Sequence, residues 1–199
     1  MALSLSKNQT ISLDKTAAAR LHKITLGVGW DPLQSGFFGK LMGQGGAIDL
    51  DASCILFDQQ FKPFDLVWFR QLTSRDGAVQ HSGDNRTGDG EGDDESIVVE
   101  LDRLPANIQY LAFTVNSFTG QSFEKVGNAY CRVIDTARHQ ELARFNLSEQ
   151  GAHTGIVMAC LTRSASGWDF RAIGQTTHGR TADDLVNLAA EALSPASAH

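Results

Sequence analysis

The sequence predicts a mainly β protein, an antiparallel β-sandwich of two sheets with a C-terminal amphipathic helix. Apolar residues recur at every second position over much of the chain, and turn-forming segments separate these stretches. Only the stretch before the C-terminal tail changes to a helical period. Alternation buries one face of each strand, and many short strands joined by turns are typical of a sandwich.

In the first predicted strand, KITLGVGW, the apolar residues Ile24, Leu26, Val28 and Trp30 alternate with small or polar ones. A glycine-rich segment, LQSGFFGKLMGQGG, is predicted to be a long loop before the second strand, AIDLDASCILF. That strand places five residues on one face: Ile48, Leu50, Ala52, Cys54 and Leu56. Six later segments alternate in the same way, namely DLVWFR, SIVVEL, YLAFTV, AYCRVI, GIVMACLT and WDFRAIG.

The segment TADDLVNLAAEAL has helical spacing instead. Its apolar face consists of Leu185, Leu188, Ala189 and Ala192. Thr181 is placed as the N-cap, and Asp184 follows three residues later, which predicts a capping box. A second, short helix is predicted around SFEKVGNA. No linker divides the chain, so we expect one domain over residues 1–193 and a frayed tail over residues 194–199.

The composition excludes several classes of function. The chain has 199 residues, of which 42% are hydrophobic and 20% charged, enough for one domain with a buried core. The net charge of -6 and the absence of a cluster of Lys and Arg exclude a nucleic-acid partner. We expect no signal peptide and no membrane span, because no stretch approaches the ~20 apolar residues that cross a bilayer.

Three cysteines, Cys54, Cys131 and Cys160, lie far apart among apolar neighbours. An odd number at wide spacing favours neither a disulfide framework nor a zinc site, so we expect buried thiols in a reducing cytosol. The sequence contains neither GxSxG nor HExxH. Among the scattered histidines, His81 and His153 are the candidates to approach the acidic segment described next.

An acidic, glycine-spaced run, GDNRTGDGEGDDE, occupies residues 83–95. Like charges repel by roughly 1 kcal/mol for a pair at 4 Å in water, and by more where water is excluded. The glycines let backbone carbonyl oxygens approach an ion, and a set of oxygen donors selects Ca²⁺ or Mg²⁺. A flexible loop with many ligands suits the 6–8 oxygen shell of Ca²⁺. A solvated acidic loop and a protein-binding loop remain as alternatives.

Two further acidic groups stand at the ends of predicted strands. Asp49 and Asp51 lie two residues apart at the start of AIDLDAS, about 6.5–7 Å between Cα atoms, and Asp31 closes GVGWD. Within the acidic run, Asp93 and Glu95 share the parity of the apolar residues that follow. An early strand start therefore directs Glu95 toward the core, where a carboxylate must be paired, protonated or coordinating.

The segments GWD, DLDAS and GDNRTGDGEGDDESI, in this order, resemble the TerD family of tellurium-resistance and stress proteins. The resemblance continues through LPANIQYLAFTVNSF, NAYCRV, ELARFNLSE and WDFRAIGQ, from about residue 3 to residue 180. The segments GFFGKLMGQGG and AFTVNSFTGQSF make the chain most similar to the TerZ branch of that family.

The resemblance implies a β-sandwich that binds one or two Ca²⁺ ions at one end, in a bacterial cytoplasmic protein linked to tellurite, oxidative or envelope stress. The positions that match the family motif are Asp31, Asp49, Asp51, Asp84, Asn85, Thr87, Asp89, Glu91, Asp93, Asp94 and Glu95. The implied partners are other proteins of the tellurium-resistance system or a membrane surface at its inner face. The alternatives are a Mg²⁺- or Mn²⁺-dependent hydrolase that uses the same carboxylates and an interaction module whose acidic loop contacts a basic partner.

Overall fold

The computed structural model describes residues 2–32, 49–83, 92–147 and 151–194. In this part of the chain, two six-stranded sheets pack against each other, and the C-terminal helix lies on the outer face of one of them. The described part contains no helix that is long and apolar enough to span a membrane.

The first sheet has the spatial order β1 (Leu3–Leu5), β10 (Gln140–Asn146), β9 (Val126–Asp135), β3 (Lys23–Pro32), β7 (Glu95–Glu100) and β6 (Val79–His81). The second has the order β2 (Thr10–Ser12), β12 (Gly167–Thr177), β11 (Gly155–Ser164), β8 (Ile108–Ser117), β4 (Leu50–Asp58) and β5 (Pro63–Val67). The helices are α1 (Leu13–Thr16) and α2 (Ala182–Leu193), and 3-10 turns lie at Leu101–Arg103 and Phe123–Lys125. Neighbouring strands are antiparallel except β1 and β10, which run parallel. The predicted fold class is confirmed.

The apolar residues that alternate along the strands fill the space between the sheets. Leu50, Ala52, Cys54 and Leu56 of β4 are at most 1% exposed and belong to one core cluster, as their spacing predicts. Full burial of a large aliphatic side chain contributes roughly 1.5–3 kcal/mol. The core therefore fixes the register of each strand, because a slip of one residue would turn these side chains outward.

Helix α2 covers the outer face of the second sheet. Ala189 of the helix lies in a second apolar cluster together with Ile55 and Phe57 of β4. The predicted capping box is confirmed, because the Asp184 N–H donates to Thr181 Oγ1 and the Thr181 N–H donates to Asp184 Oδ2 at 3.0 Å. The helix thus begins where the sequence places it.

Some predicted elements differ from the structure. The segment SFEKVGNA contributes one 3-10 turn and then enters β9 as a strand, and the strand predicted from DLVWFR ends at Val67. The strands β1, β2 and β6 have three residues each, too short to show a period. In β10, a bulge between Glu141 and Ala143 buries both Leu142 and Ala143, which breaks the alternation.

Besides residues 195–199 of the tail that we expect to be frayed, two sequence features lie outside the described residues. The first is the glycine-rich segment predicted to be a loop, which falls within residues 33–48. The second is the central part of the acidic run, residues 84–91. Five of the predicted ligands belong to it: Asp84, Asn85, Thr87, Asp89 and Glu91.

Candidate metal centre

Three strand ends with acidic residues meet at one end of the sandwich. Asp31 is the penultimate residue of β3, β7 begins with Glu95, and β4 begins immediately after Asp49. Val28 of β3 pairs with Glu95, and the Ala52 N–H of β4 donates a hydrogen bond to the Glu95 side chain. The acidic groups that the sequence placed at strand ends therefore converge in the described part of the chain.

Glu95 connects the two sheets. Its side chain is buried, as the parity of β7 predicts, and Oε2 accepts the hydrogen bond from the Ala52 N–H at 2.7 Å. His81 Nε2 lies 2.9 Å from the Ala52 carbonyl oxygen and 3.4 Å from Glu95 Oε2. β5 pairs with β4 only from Cys54 onward. Two side chains of the first sheet thus bind both backbone polar groups of Ala52, at an edge that β5 leaves open.

His81 is held on both ring nitrogens. The Gly83 N–H donates to Nδ1 at 2.9 Å, so the bonds describe a neutral ring whose proton is on Nε2 and points to the Ala52 carbonyl. Burial lowers the pKa of His81, but the contacts with Glu95 and the Ala52 carbonyl and the charge of Asp51 raise it, and the net direction is upward. The hydrogen bond from Gly83 opposes this rise in the pKa, because Nδ1 can accept it only while that nitrogen is unprotonated. The hydrogen-bond geometry therefore favours the neutral ring.

The pKa of Asp94 is raised by its surroundings at this end of the sandwich. Its N–H donates to the Val28 carbonyl, and its Oδ2 accepts from the Trp30 N–H at 2.8 Å, so the residue lies along the end of β3. Burial raises the pKa of Asp94, the Trp30 bond opposes this, and the charges of Asp31, Glu95 and Asp93 raise it further. A cation beside Asp94 would remove the repulsion that these neighbours create.

A β-bulge orients the partner of Asp31. Gly29 pairs with Tyr130 of β9 but Asp31 pairs with Gly127, so β9 carries an additional residue at this point. Asn128 lies in the bulge with φ 50°, in the left-handed region that asparagine tolerates. Its Nδ2 donates to Asp31 Oδ2 at 2.9 Å. The bulge therefore fixes one carboxylate oxygen of Asp31 at the exposed rim of the site.

Asp93 is bound by side chains of β9. β7 begins at Glu95, so the parity read from the sequence does not extend to Asp93. Its side chain lies over Gly27 on the outer face of the first sheet. Arg132 Nε donates to Oδ1 at 2.8 Å and Nη2 donates to Oδ2 at 3.0 Å, while Tyr130 Oη is 3.0 Å from Oδ1.

Asp49 is half-buried and Asp51 is buried at the start of β4. Within the described ranges, no group of three or more His, Cys, Asp and Glu side chains is arranged to hold a metal ion. The described donors are nevertheless carboxylate oxygens on converging strand ends, and in the sequence the acidic run lies between β6 and β7. The donor set therefore fits a hard cation in its chemistry.

Sequence reasoning missed Asn128, Tyr130 and Arg132, and identified His81 only as a candidate to approach the acidic segment. The available signal was the pair Gly27 and Gly29 in an otherwise regular strand, because glycine within a strand often marks a close approach. A Cβ at Gly29 would lie 2.5 Å from the Tyr130 ring.

The three cysteines are buried, as predicted. Burial raises the pKa of Cys131 to about 12 and raises the pKa of Cys54 and of Cys160 above the ordinary value. A buried thiol with a raised pKa is a poor nucleophile, so these residues are structural.

Comparison with known proteins places the chain among tellurium-resistance proteins. The family model described as TerD domain matches residues 1–190. The chain is 56% identical to tellurium resistance protein TerZ of Serratia marcescens over 92% of this chain and 94% of the relative. It is 43% identical to stress response protein SCP2 of Bacillus subtilis over 94% and 98% of the two chains.

A solved structure shares the fold. The crystal structure of a homologue of telluride resistance protein TerD from Streptomyces coelicolor superimposes with a TM-score of 0.68 at 23% identity, and it covers 88% of this chain and 100% of that chain. This likeness supports the two-sheet architecture. With a TerD domain over nearly the whole chain and relatives named for tellurium resistance and stress response, the chain belongs to the TerD family.

Proposed function

We propose that the protein is a non-enzymatic Ca²⁺-binding component of a bacterial tellurite and stress-resistance system, and that it acts through partner proteins or at a membrane surface. The observation that carries this proposal is the convergence of Asp31, Asp94 and Glu95 at one end of the sandwich. Convergent carboxylates destabilise one another, and a bound divalent cation reverses this effect.

The carboxylates are held in place before a cation arrives. Asn128 fixes an oxygen of Asp31, the Trp30 N–H fixes an oxygen of Asp94, and Ala52 fixes an oxygen of Glu95. A set of carboxylates held in place in this way loses little conformational entropy when it binds an ion. Ca²⁺ supplies positive charge and coordination bonds at this site.

Binding at this end would act on both sheets. β3 and β7 belong to the first sheet and β4 to the second, and their acidic residues face the same region. Asp84, Asn85, Thr87, Asp89 and Glu91, with Asp49 and Asp51, would complete the oxygen shell. The relatives named for tellurium resistance support a role in that system, and a cation-loaded end offers it a surface for protein partners or a membrane.

Catalysis is not part of the proposal. The cysteines are buried with raised pKa values, and the relatives are named as resistance and stress proteins. The alternative of a Mg²⁺- or Mn²⁺-dependent hydrolase gains no support from either comparison. Turnover of a phosphodiester that EDTA abolishes would favour the hydrolase and overturn the proposal.

Calorimetric titration of EDTA-treated protein with Ca²⁺, and separately with Mg²⁺, tests the proposal together with thermal melts. A ligand that binds only the folded state stabilises it by ~2.7 kcal/mol at a hundredfold excess over its dissociation constant. We expect saturable heat and a higher melting temperature with Ca²⁺, and less of both with Mg²⁺. No heat and no shift with Ca²⁺ would show that the acidic run is only a charged surface.

A further inference from the structure

We propose that Asp93 does not bind the cation but anchors the acidic segment to the outer face of the first sheet, and that Arg132 and Tyr130 are its positioning residues. The inference rests on the proposed Ca²⁺ site and divides the motif into two functions. Asp94 belongs to the cation site, whereas its neighbour Asp93 sets where β7 begins.

The carboxylate of Asp93 is fully engaged within the protein. Arg132 grips both oxygens in a two-pronged contact, from Nε to Oδ1 at 2.8 Å and from Nη2 to Oδ2 at 3.0 Å. Tyr130 Oη lies 3.0 Å from Asp93 Oδ1 and 2.8 Å from the Gly92 carbonyl oxygen, and its single proton serves one of them at a time. Residues 92 and 93 are thus both held by β9.

The surface of β3 is shaped for this contact. Gly27 carries no side chain, and a Cβ there would lie 2.0 Å from Asp93 Oδ2. Gly29 accommodates the Tyr130 ring in the same way, with a Cβ only 2.5 Å from the phenol oxygen. The close approach of Asp93 and Tyr130 therefore explains why two successive outer-face positions of this strand are glycine.

Arg132 is itself oriented by a wider network. Its Nη1 donates to Glu141 at 2.9 Å, and Glu141 also accepts two hydrogen bonds from Arg144, at 2.9 and 3.0 Å. The Arg144 guanidinium lies 4.2 Å above the centre of the Tyr130 ring. Two acidic and two basic side chains therefore balance one another on this face, and Arg132 has no freedom to release Asp93 at low cost.

The charge of Arg132 also argues against coordination by Asp93. A Ca²⁺ bound to an Asp93 oxygen at about 2.3–2.6 Å would lie roughly 5 Å from the guanidinium that grips the same carboxylate. The backbone N–H of Asp94 donates to the Val28 carbonyl at the end of β3, and its Oδ2 accepts from the Trp30 N–H at 2.8 Å. Asp93 is therefore bound by side chains of β9, whereas Asp94 is bound by the backbone of β3.

The test compares two neighbouring substitutions, Asp93→Asn and Asp94→Asn, by Ca²⁺ calorimetry and by melts of the cation-free protein. We expect Asp94→Asn to weaken Ca²⁺ binding at least tenfold more than Asp93→Asn does. In EDTA, we expect only Asp93→Asn to lower the melting temperature, because it leaves Arg132 partly unpaired. Equal loss of Ca²⁺ affinity in the two variants, or an unchanged melting temperature for Asp93→Asn, would overturn the inference.

A local measurement separates positioning from general stability. Amide hydrogen exchange in EDTA should speed up at least tenfold at Asp94 and Trp30 in Asp93→Asn, while amides in the distant β12 keep their wild-type rates. A uniform increase throughout the chain would contradict a positioning role. If Asp93→Asn does not fold, Arg132→Lys, which keeps the charge but loses the two-pronged contact, should give the same pattern.

The wild-type protein in the same series distinguishes the two proposals. If it binds no Ca²⁺, the proposed function fails, and the melts and exchange rates still decide whether Asp93 is an anchor. If it binds Ca²⁺ and Asp93→Asn loses as much affinity as Asp94→Asn, the anchor fails and the Ca²⁺ site stands.

Discussion

Glu95, in the first sheet, accepts a hydrogen bond at 2.7 Å from the backbone N–H of Ala52, in the second sheet. The bond lies in the interior, where neither group reaches water. Since His81 binds the backbone carbonyl of the same residue, the first sheet replaces the strand that β4 lacks at this edge. The acidic end of the sandwich is thus part of the framework as well as a candidate metal centre.

The contact predicts a large effect of Glu95→Ala on stability. The substitution leaves the buried Ala52 N–H without its acceptor and removes a partner of His81, and each unsatisfied buried group costs about 1–3 kcal/mol. We expect the free energy of unfolding in EDTA to fall by about 2–4 kcal/mol in urea titrations. Glu100→Ala, at the partly exposed other end of the same strand, is the matched control and should cost much less, because its ion pairs are screened by solvent. Equal losses would show that the bond does not hold the sheets together.

In the absence of a cation, the substitution Asp94→Asn is expected to stabilise the protein, and the size of this gain should depend on pH. Its pKa is raised in the folded state by burial and by neighbouring carboxylates, so its charged form opposes folding above that pKa. The penalty disappears as the pH falls below the ordinary value of an aspartate. Asp94→Asn should therefore raise the melting temperature in EDTA at pH 7 and lose this advantage near pH 3. A variant that melts lower than wild type at pH 7 would contradict the assigned direction.

A side chain at position 27 is expected to clash with the carboxylate of Asp93. Gly27→Ala places a Cβ at 2.0 Å from Asp93 Oδ2, and crowding of this kind costs about 1–3 kcal/mol. The cost should shrink markedly in an Asp93→Ala background, where the carboxylate is absent. Urea titrations of the two single variants and the double variant measure this coupling. Additive losses would mean that Gly27 is required for another reason.

The three cysteines are expected to react slowly with a disulfide reagent while the protein is folded. Cys54, Cys131 and Cys160 are buried, and burial raises the pKa of each thiol. A chromogenic disulfide reagent at pH 8 should react slowly with native protein and with three thiols after unfolding in urea. Rapid reaction of even one thiol in the native state would show that this residue is accessible and reactive, and would contradict its purely structural role.

Much of the fold was predictable because several of its strands are long. β3, β4 and β8 each have nine or ten residues, so their period of two is plain in the sequence. β1, β2 and β6 are too short for a period, and the bulge in β10 hides another. Their positions depend on pairing with distant strands, which a local pattern does not encode.

The acidic residues of the site were predictable for a different reason. Their number and glycine spacing are unusual enough to indicate a motif without any structural knowledge. The groups that orient them were not predictable, because Arg132 is 39 residues from Asp93 and Asn128 is 97 residues from Asp31. Only the pairing of β9 with β3 brings them together, and the parity of Asp93 misled because β7 begins two residues later.

The most direct test of the proposed Ca²⁺ site is an NMR titration of isotope-labelled, EDTA-treated protein with Ca²⁺, in which the chemical shift of each backbone amide is followed. We expect saturable shifts concentrated at Asp31, Ala52, Asp94 and Glu95, with little change at Gly167, the first residue of β12. Such a result would place the cation between the strand ends of the two sheets. Shifts absent at these residues, or spread evenly over the chain, would contradict a Ca²⁺ site at this end of the sandwich.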